Sequence, residues 1–268
     1  MSVYIYDMKI GFFDSGLGGL TVMKAVALSM PQYDYEFFGD TANLPYGDKA
    51  EEEIYELTKL GVEVLFEKDC CLVVIACNTA SAETLRKLQD TFLIDEYPDR
   101  RILGVIIPMV EEVVECNAKR ALLIATRRTI ESGKYEREFS KFEHAPELFS
   151  IATPTLVPLI EAGCIDEAVM EVVPMVTELI LKGGDSLILG CTHYGLLKQG
   201  IEECIGQEVM IFSQAEIIPK KLFAYLDVHP EIKEKLSPGS TRNIYLSAHN
   251  RNYDKVVGDI LGGFFMEG

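Results

Sequence analysis

Residues 71–79 read CLVVIACNT and residues 185–192 read DSLILGCT. Each is a short aliphatic run that ends in a cysteine followed at once by a polar residue. A strand buried on both faces of a parallel sheet has this composition. Working outward, KIGFFDS at 9–15, YEFFGD at 35–40, RALLIAT at 120–126 and LFSIAT at 148–153 read the same way. The stretches between them carry helical periodicity, as in AEEEIYELTKLGVEVLFEK at 50–68. Strand alternating with helix predicts an α/β fold with parallel sheets.

The six strand ends fall in two matching sets, Asp14, Asp40 and Cys77, then Thr126, Thr153 and Cys191, separated by 112, 113 and 114 residues. The residues themselves mostly differ, so layout repeats rather than sequence. This predicts two similar domains, each a parallel sheet flanked by helices. The first spans about 1–103 and the second about 104–213. Within 214–268, QAEIIPKKLFAYL reads as a helix, LSPGST at 236–241 as a loop and RNIYLSA as a strand. This tail is expected to pack back on the first domain. Open parallel sheets bind ligands at the carboxyl ends of their strands. Two such halves facing each other share one cleft and deliver one cysteine to each side of it. A racemization, which handles one carbon from two opposite faces, needs this layout.

Composition narrows the partners. Among 268 residues, 42 are Asp or Glu against 25 Lys or Arg, a formal net charge of −17. That argues against nucleic acid as an extended partner, since phosphate contacts need a cationic surplus, and against an anionic membrane surface. A small anionic substrate remains compatible, because backbone N–H groups and a few local side chains can hold a carboxylate. No apolar run reaches the length of a membrane span. The N-terminal stretch MSVYIYDMKI has no secretory pattern. Seven cysteines without a CxxC fit free thiols in a reducing cytoplasm. Cys70 and Cys71 read as buried apolar residues, and Cys116, Cys164 and Cys204 have no polar partners in sequence.

The chemistry-bearing motifs lie at strand ends. FDSGLGGL at 13–20 lacks dinucleotide spacing, and its Asp14 would repel phosphate; taken alone it could be a turn capped by Asp14 or Ser15. GDTANLPYGDK at 39–49 is a loop presenting Tyr46 and Gly47. In VVIACNTASA at 73–82, Cys77 stands where a helix begins, an environment expected to favour thiolate, with Asn78 and Thr79 as donors. LILGCTHYGLL at 187–197 repeats the placement with Cys191 and Thr192 and adds His193, a group able to assist proton transfer. ATRRTIESGKY offers Thr126 and Thr129, and ATPTLVPLIEAG offers Glu161, by default a solvated helix carboxylate. Cysteine with histidine also permits a cysteine hydrolase or one-cysteine decarboxylase. The second strand-end cysteine argues for an acid and a base of the same kind. A binding protein that has lost catalysis is a third reading.

Taken together, FDSGLGGL, GDTANLPYG, ACNTASA, LVPLIEAG and GCTHYGLL resemble the glutamate racemases of the aspartate/glutamate racemase superfamily, in order and spacing over roughly residues 9–200. The resemblance implies two pseudo-symmetric α/β domains with the substrate in the cleft between them, no pyridoxal phosphate and no metal. It implies that Cys77 acts on D-glutamate and Cys191 on L-glutamate, with Asp14 assisting near Cys77 and Glu161 and His193 near Cys191. Substrate binding falls by the same likeness to Asp14, Ser15, Tyr46, Gly47, Asn78, Thr79, Thr126, Thr129, Thr192 and His193. It also implies a cytoplasmic homodimer supplying D-glutamate for peptidoglycan. An aspartate racemase of the same superfamily is the nearest alternative. Ala125 stands where glycine is usual, and YLSAHN where a Thr/Ser-Gly-Asp ending is common.

Overall fold

The computed structural model describes residues 7–206, 208–249 and 251–262. Most of the N-terminal stretch read above for a secretory pattern, residues 1–6, lies outside that range. Nine strands are described: β1 (Lys9–Asp14), β2 (Tyr35–Gly39), β3 (Cys70–Ile75), β4 (Arg101–Gly104), β5 (Arg120–Ala125), β6 (Glu147–Ala152), β7 (Ser186–Gly190), β8 (Met210–Phe212) and β9 (Arg242–Leu246). They form two sheets, ordered β4-β3-β1-β2-β9 and β6-β5-β7-β8, and every pairing is parallel. Read from the β4 and β8 edges, the first four strands and the next four follow the same order, 4-3-1-2 against 8-7-5-6. The α/β class with two similar parallel sheets is therefore the architecture observed.

The strands that decided this reading are buried along their whole length, β3 and β7 without an exposed residue. Helices on both faces account for that, leaving no position where a polar side chain would meet water. LFSIAT departs from it: β6 lies at the edge of its sheet and only half of it is covered, with Phe149 and Ile151 among the exposed large apolar residues. The helix Glu51–Glu67 opens with three glutamates, which favour the positive end of the helix dipole. Among the described residues, no helix is long and apolar enough to cross a membrane.

The segment after β8 packs largely onto the first sheet. Ile218, Leu222 and Leu226 of the helix Gln214–Val228 enter the same apolar core as Leu20, Met23 and Val26 of the helix Gly19–Ser29. β9 extends the first sheet beside β2, in register from Tyr35↔Arg242 to Gly39↔Leu246. Residues 237–241 hold no regular element, and Thr241 donates to buried Asp34 at 2.6 Å. The helix Arg251–Leu261 then buries Ile260 and Leu261, and Lys24 Nζ donates to the Ile260 carbonyl at 2.8 Å.

Candidate active site

Cys77 lies two residues beyond β3 and is the N-cap of the helix Asn78–Asp90. A thiol there meets amides with no intrahelical partner, and the Ala80 N–H points at Sγ at 3.5 Å. Ser15 Oγ lies 3.3 Å from the same sulfur. The sequence led us to expect a thiolate-favouring site, and the structure overturns this. Burial and then the negative charge of Asp14 push the Cys77 thiol up to about 12, outweighing the Ala80 amide and the Ser15 hydroxyl. The helix N-terminus acts as anticipated, but desolvation of a buried thiolate is the larger effect.

Cys191 follows β7 with an extended backbone, φ −148° and ψ 141°, and leads into a 3-10 turn, Thr192–Leu197, that its side chain does not cap. Its neighbour is an imidazole: Nδ1 of His193 lies 3.8 Å from Sγ. On the other side of the ring, Nε2 lies 3.2 Å from Oε1 of Glu161, the last residue of the helix Leu156–Glu161. Burial works against a charged imidazole, yet contacts with Cys191 and Glu161 prevail and hold His193 well above its ordinary value. The upward direction favours the protonated ring beside the Cys191 sulfur.

Asp14 joins the two sides. One carboxylate oxygen accepts from the Gly16 and Gly19 amides at 3.2 and 3.1 Å, which caps the turn, and the other accepts from Thr192 Oγ1 at 3.4 Å. Burial raises its pKa, while the His193 charge and these amides pull the other way. The turn needs its glycine at 18. A Cβ there would stand 2.5 Å from Thr192 Oγ1 and 2.7 Å from His193 Nδ1, so any side chain would force the two halves apart.

Hydroxyls and one amide complete the walls. Thr79, from the first half, lies 2.9 Å from Thr126 and 3.2 Å from Thr129, which are themselves 2.9 Å apart. Thr126 caps the short helix Arg127–Glu131 by accepting from the Thr129 amide. Asn78 is buried; its Oδ1 accepts from Tyr135 at 2.8 Å and from Gln214 at 3.2 Å, while its Nδ2 has no hydrogen-bond partner among the described residues. Tyr46 donates to Asp40 at 2.7 Å. Asp40 also accepts from Asn43 and from Ser247 of the YLSAHN stretch, so the C-terminal segment braces the loop that presents Tyr46 and Gly47.

These groups meet in one cavity of about 350 Å³ between the sheets. Ser15, Tyr46, Gly47, Cys77, Asn78, Thr79, Thr126, Glu161, Cys191, Thr192 and His193 line it. Asp14 and Thr129 do not reach its surface but bond to residues that do. Sequence reading missed Asp40, Tyr135 and Gln214, which act through a partner, and Arg127 and Tyr253, which line the cavity themselves. Asp40 ends a strand in the same way as Asp14, a signal that could have marked it; the others carry no local pattern. Among the described residues, no cluster of three or more His, Cys, Asp or Glu could hold a metal ion.

Paired parallel sheets with a thiol from each converging on one cavity define an α/β protein built to act on two faces of a small molecule. The family pattern described as Asp/Glu/Hydantoin racemase matches residues 23–217, and the chain belongs to that family. It is 35% identical over 244 residues to the glutamate racemase of Roseobacter denitrificans, covering 86% of this chain and 90% of that one. A crystal structure of a glutamate racemase isoform from Bacillus anthracis superposes with a TM-score of 0.84 at 29% identity, covering 96% of this chain and 95% of the other. The Francisella tularensis glutamate racemase, solved with D-glutamate, gives 0.81 at 27% identity over 95% and 94% of the two chains.

Proposed function

We propose that this protein is a glutamate racemase that interconverts L- and D-glutamate by proton transfer between Cys191 and Cys77, without pyridoxal phosphate or metal. The observation that carries the reading is the pair of buried thiols, one from each sheet, opening onto a single hydroxyl-lined cavity. The α-proton of an amino acid is very weakly acidic, and the site must stabilise the carbanion by fixed charges and donors. Cys191 as thiolate takes the α-proton of L-glutamate, and the C–H electron pair stays on the carbon. The substrate carboxylate, held by Asn78 Nδ2 and the Thr79 and Thr126 hydroxyls, which Thr129 positions from behind, spreads that charge. Cys77 as thiol then delivers its proton to the opposite face. The reverse reaction begins with the two sulfurs in exchanged states.

The environments support that assignment. Cys77 is kept as a thiol by burial and by Asp14, and the Cys191 sulfur faces an imidazole whose pKa is raised by its contacts with Cys191 and Glu161. Asp14 and the Glu161–His193 pair act as positioning and charge-balancing groups behind their respective sulfurs, and Ser15, Tyr46, Gly47, Thr192 and His193 complete the substrate contacts. The relatives' names support glutamate as substrate. In this reading, residues 1–103 with 214–268 form one domain and 104–213 the other, and a cytoplasmic homodimer supplies D-glutamate for peptidoglycan. Light scattering of the purified protein tests the dimer.

Far-UV circular dichroism at one wavelength tests the reaction, with L- and D-glutamate followed separately and no cofactor added. Both signals decay to zero if the proposal holds. Decay with aspartate alone would change the substrate. Silence with both would overturn the reaction.

A further inference from the structure

The mouth of the cavity holds a charge that the thiols and hydroxyls leave unused. Arg127 lines the cavity with an exposed side chain, and among the described residues no hydrogen bond or ion pair holds it. Its neighbours in sequence and on the facing loop are already engaged. Arg128 reaches Glu83 with Nε 2.9 Å from Oε1, and Lys49 sits 2.5 Å from Glu53. Arg127 is the one lysine or arginine among the lining residues described; the acids there are Asp48 and Glu161. Its place in the first turn of a helix is electrostatically unfavourable for a cation, so local helix stability does not account for it.

The chain as a whole carries a formal charge of −17. A substrate with two carboxylates is repelled by such a surface within about a Debye length, ~8 Å at physiological ionic strength. Arg127 offsets the lining carboxylates Asp48 and Glu161 at the mouth and supplies a local attraction that the rest of the surface lacks, because a cleft with low-dielectric walls focuses the field of a charge placed there. Both cysteines are nearly inaccessible, Cys77 at 6% and Cys191 at 7% exposure, so substrate must pass the mouth to reach them.

We propose that Arg127 is the specificity-determining residue at the mouth of this cleft: it captures dicarboxylic amino acids at encounter and gives neutral amino acids no such attraction. The inference rests on the racemase reading and adds to it the means by which a strongly acidic protein selects an acidic substrate. Selection of this kind acts on kcat/KM. It leaves kcat nearly intact, since Arg127 is not asked to touch the reacting carbon.

The test compares wild type with Arg127→Gln, Arg127→Glu and Arg127→Lys, and uses Lys182→Gln as a control. Lys182 is exposed and paired with Glu178 at the opposite end of the second sheet, so its loss changes net charge without touching the mouth. For glutamate, kcat/KM is expected to fall about tenfold in Arg127→Gln and further in Arg127→Glu, with kcat within about twofold. Arg127→Lys and Lys182→Gln should stay near wild type. The decline of kcat/KM with added salt should flatten in Arg127→Gln. In parallel, calorimetry measures glutarate, a dicarboxylate with no α-amino group to react, which should bind Arg127→Gln about tenfold more weakly. Wild-type kcat/KM, salt dependence and glutarate affinity in both Arg127→Gln and Arg127→Glu would overturn the inference. A wild-type protein that binds glutarate through Arg127 but racemizes nothing would remove the proposed reaction and leave dicarboxylate capture standing. If wild type neither racemizes glutamate nor binds glutarate, both fall.

Discussion

Cys77 and Cys191 occupy the same place in two sheets of the same strand order, yet their surroundings share almost nothing. Cys77 caps an α-helix, takes an amide at 3.5 Å and a serine hydroxyl at 3.3 Å, and sits within reach of a carboxylate's charge. Cys191 caps nothing with its side chain, and an imidazole backed by Glu161 stands beside it. Topology therefore fixes where each sulfur lies, while the first turn after each strand fixes what state it is held in. The substrate enantiomers are mirror images of each other, but no L-amino-acid protein can offer mirror-image faces. Two unlike solutions on opposite sides are compatible with a reversible proton transfer, provided the sulfurs hold opposite protonation states.

That contrast can be broken most severely at the sulfurs. Cys77→Ser and Cys191→Ser should each lower kcat by about a thousandfold or more in both directions, the scale of a lost general acid or base, measured by the dichroism decay. Full activity in either variant would end the two-thiol proposal. His193→Gln comes next. Because the two enantiomers have equal free energy, kcat/KM must fall equally for both, here by about a hundredfold. The split belongs in kcat, which should fall more for L-glutamate than for D-glutamate if His193 serves the Cys191 side. Equal losses of kcat would assign His193 to both sides. Smaller again, Asp40→Asn should raise KM about tenfold with a lesser change in kcat, as the loop bearing Tyr46 loses its shared acceptor. An unchanged KM would show that the loop holds itself.

The smallest effect expected is on stability. The folded-state pKa of His193 is raised, so its contribution is complete below the ordinary imidazole value of about 6.5 and is lost as pH rises through the folded value. Thermal unfolding of wild type should therefore lose ground to His193→Gln on going from pH 6 to alkaline buffer. A constant difference between the two curves would contradict a protonated His193.

Much of this fold was legible because parallel strands buried on both faces write themselves as aliphatic runs. Where burial is partial the signal fades: β6 reads as a core strand but lies at an edge, and β4 and β8, with four and three residues, have too little sequence to announce themselves. Within the site, eleven of the thirteen residues named from sequence line one cavity, since strand-end positions converge by topology. What the sequence withheld was three-dimensional. Thiolate at Cys77 was the expectation from a helix terminus, and desolvation, which no local window reveals, reversed it. Gln214 stands 136 residues from Asn78 in the chain, yet its amide donates to it. Ser247 reaches Asp40 across 207 residues. Arg127 carries no mark in sequence that separates it from Arg128; the ion pair of Arg128 with Glu83 sets the two apart in the fold.

The repeated strand order, 4-3-1-2 and 8-7-5-6, carries a consequence for how such a cleft can change over time. Two identical subunits facing each other about a twofold axis would be compelled to present identical thiols in identical surroundings, because every substitution would appear twice. With both halves on one polypeptide, a mutation lands on one wall alone. One wall is then free to acquire an imidazole while the other keeps a helix cap. Covalent continuity releases the cleft from symmetry, and each wall can be inherited and altered as a separate trait.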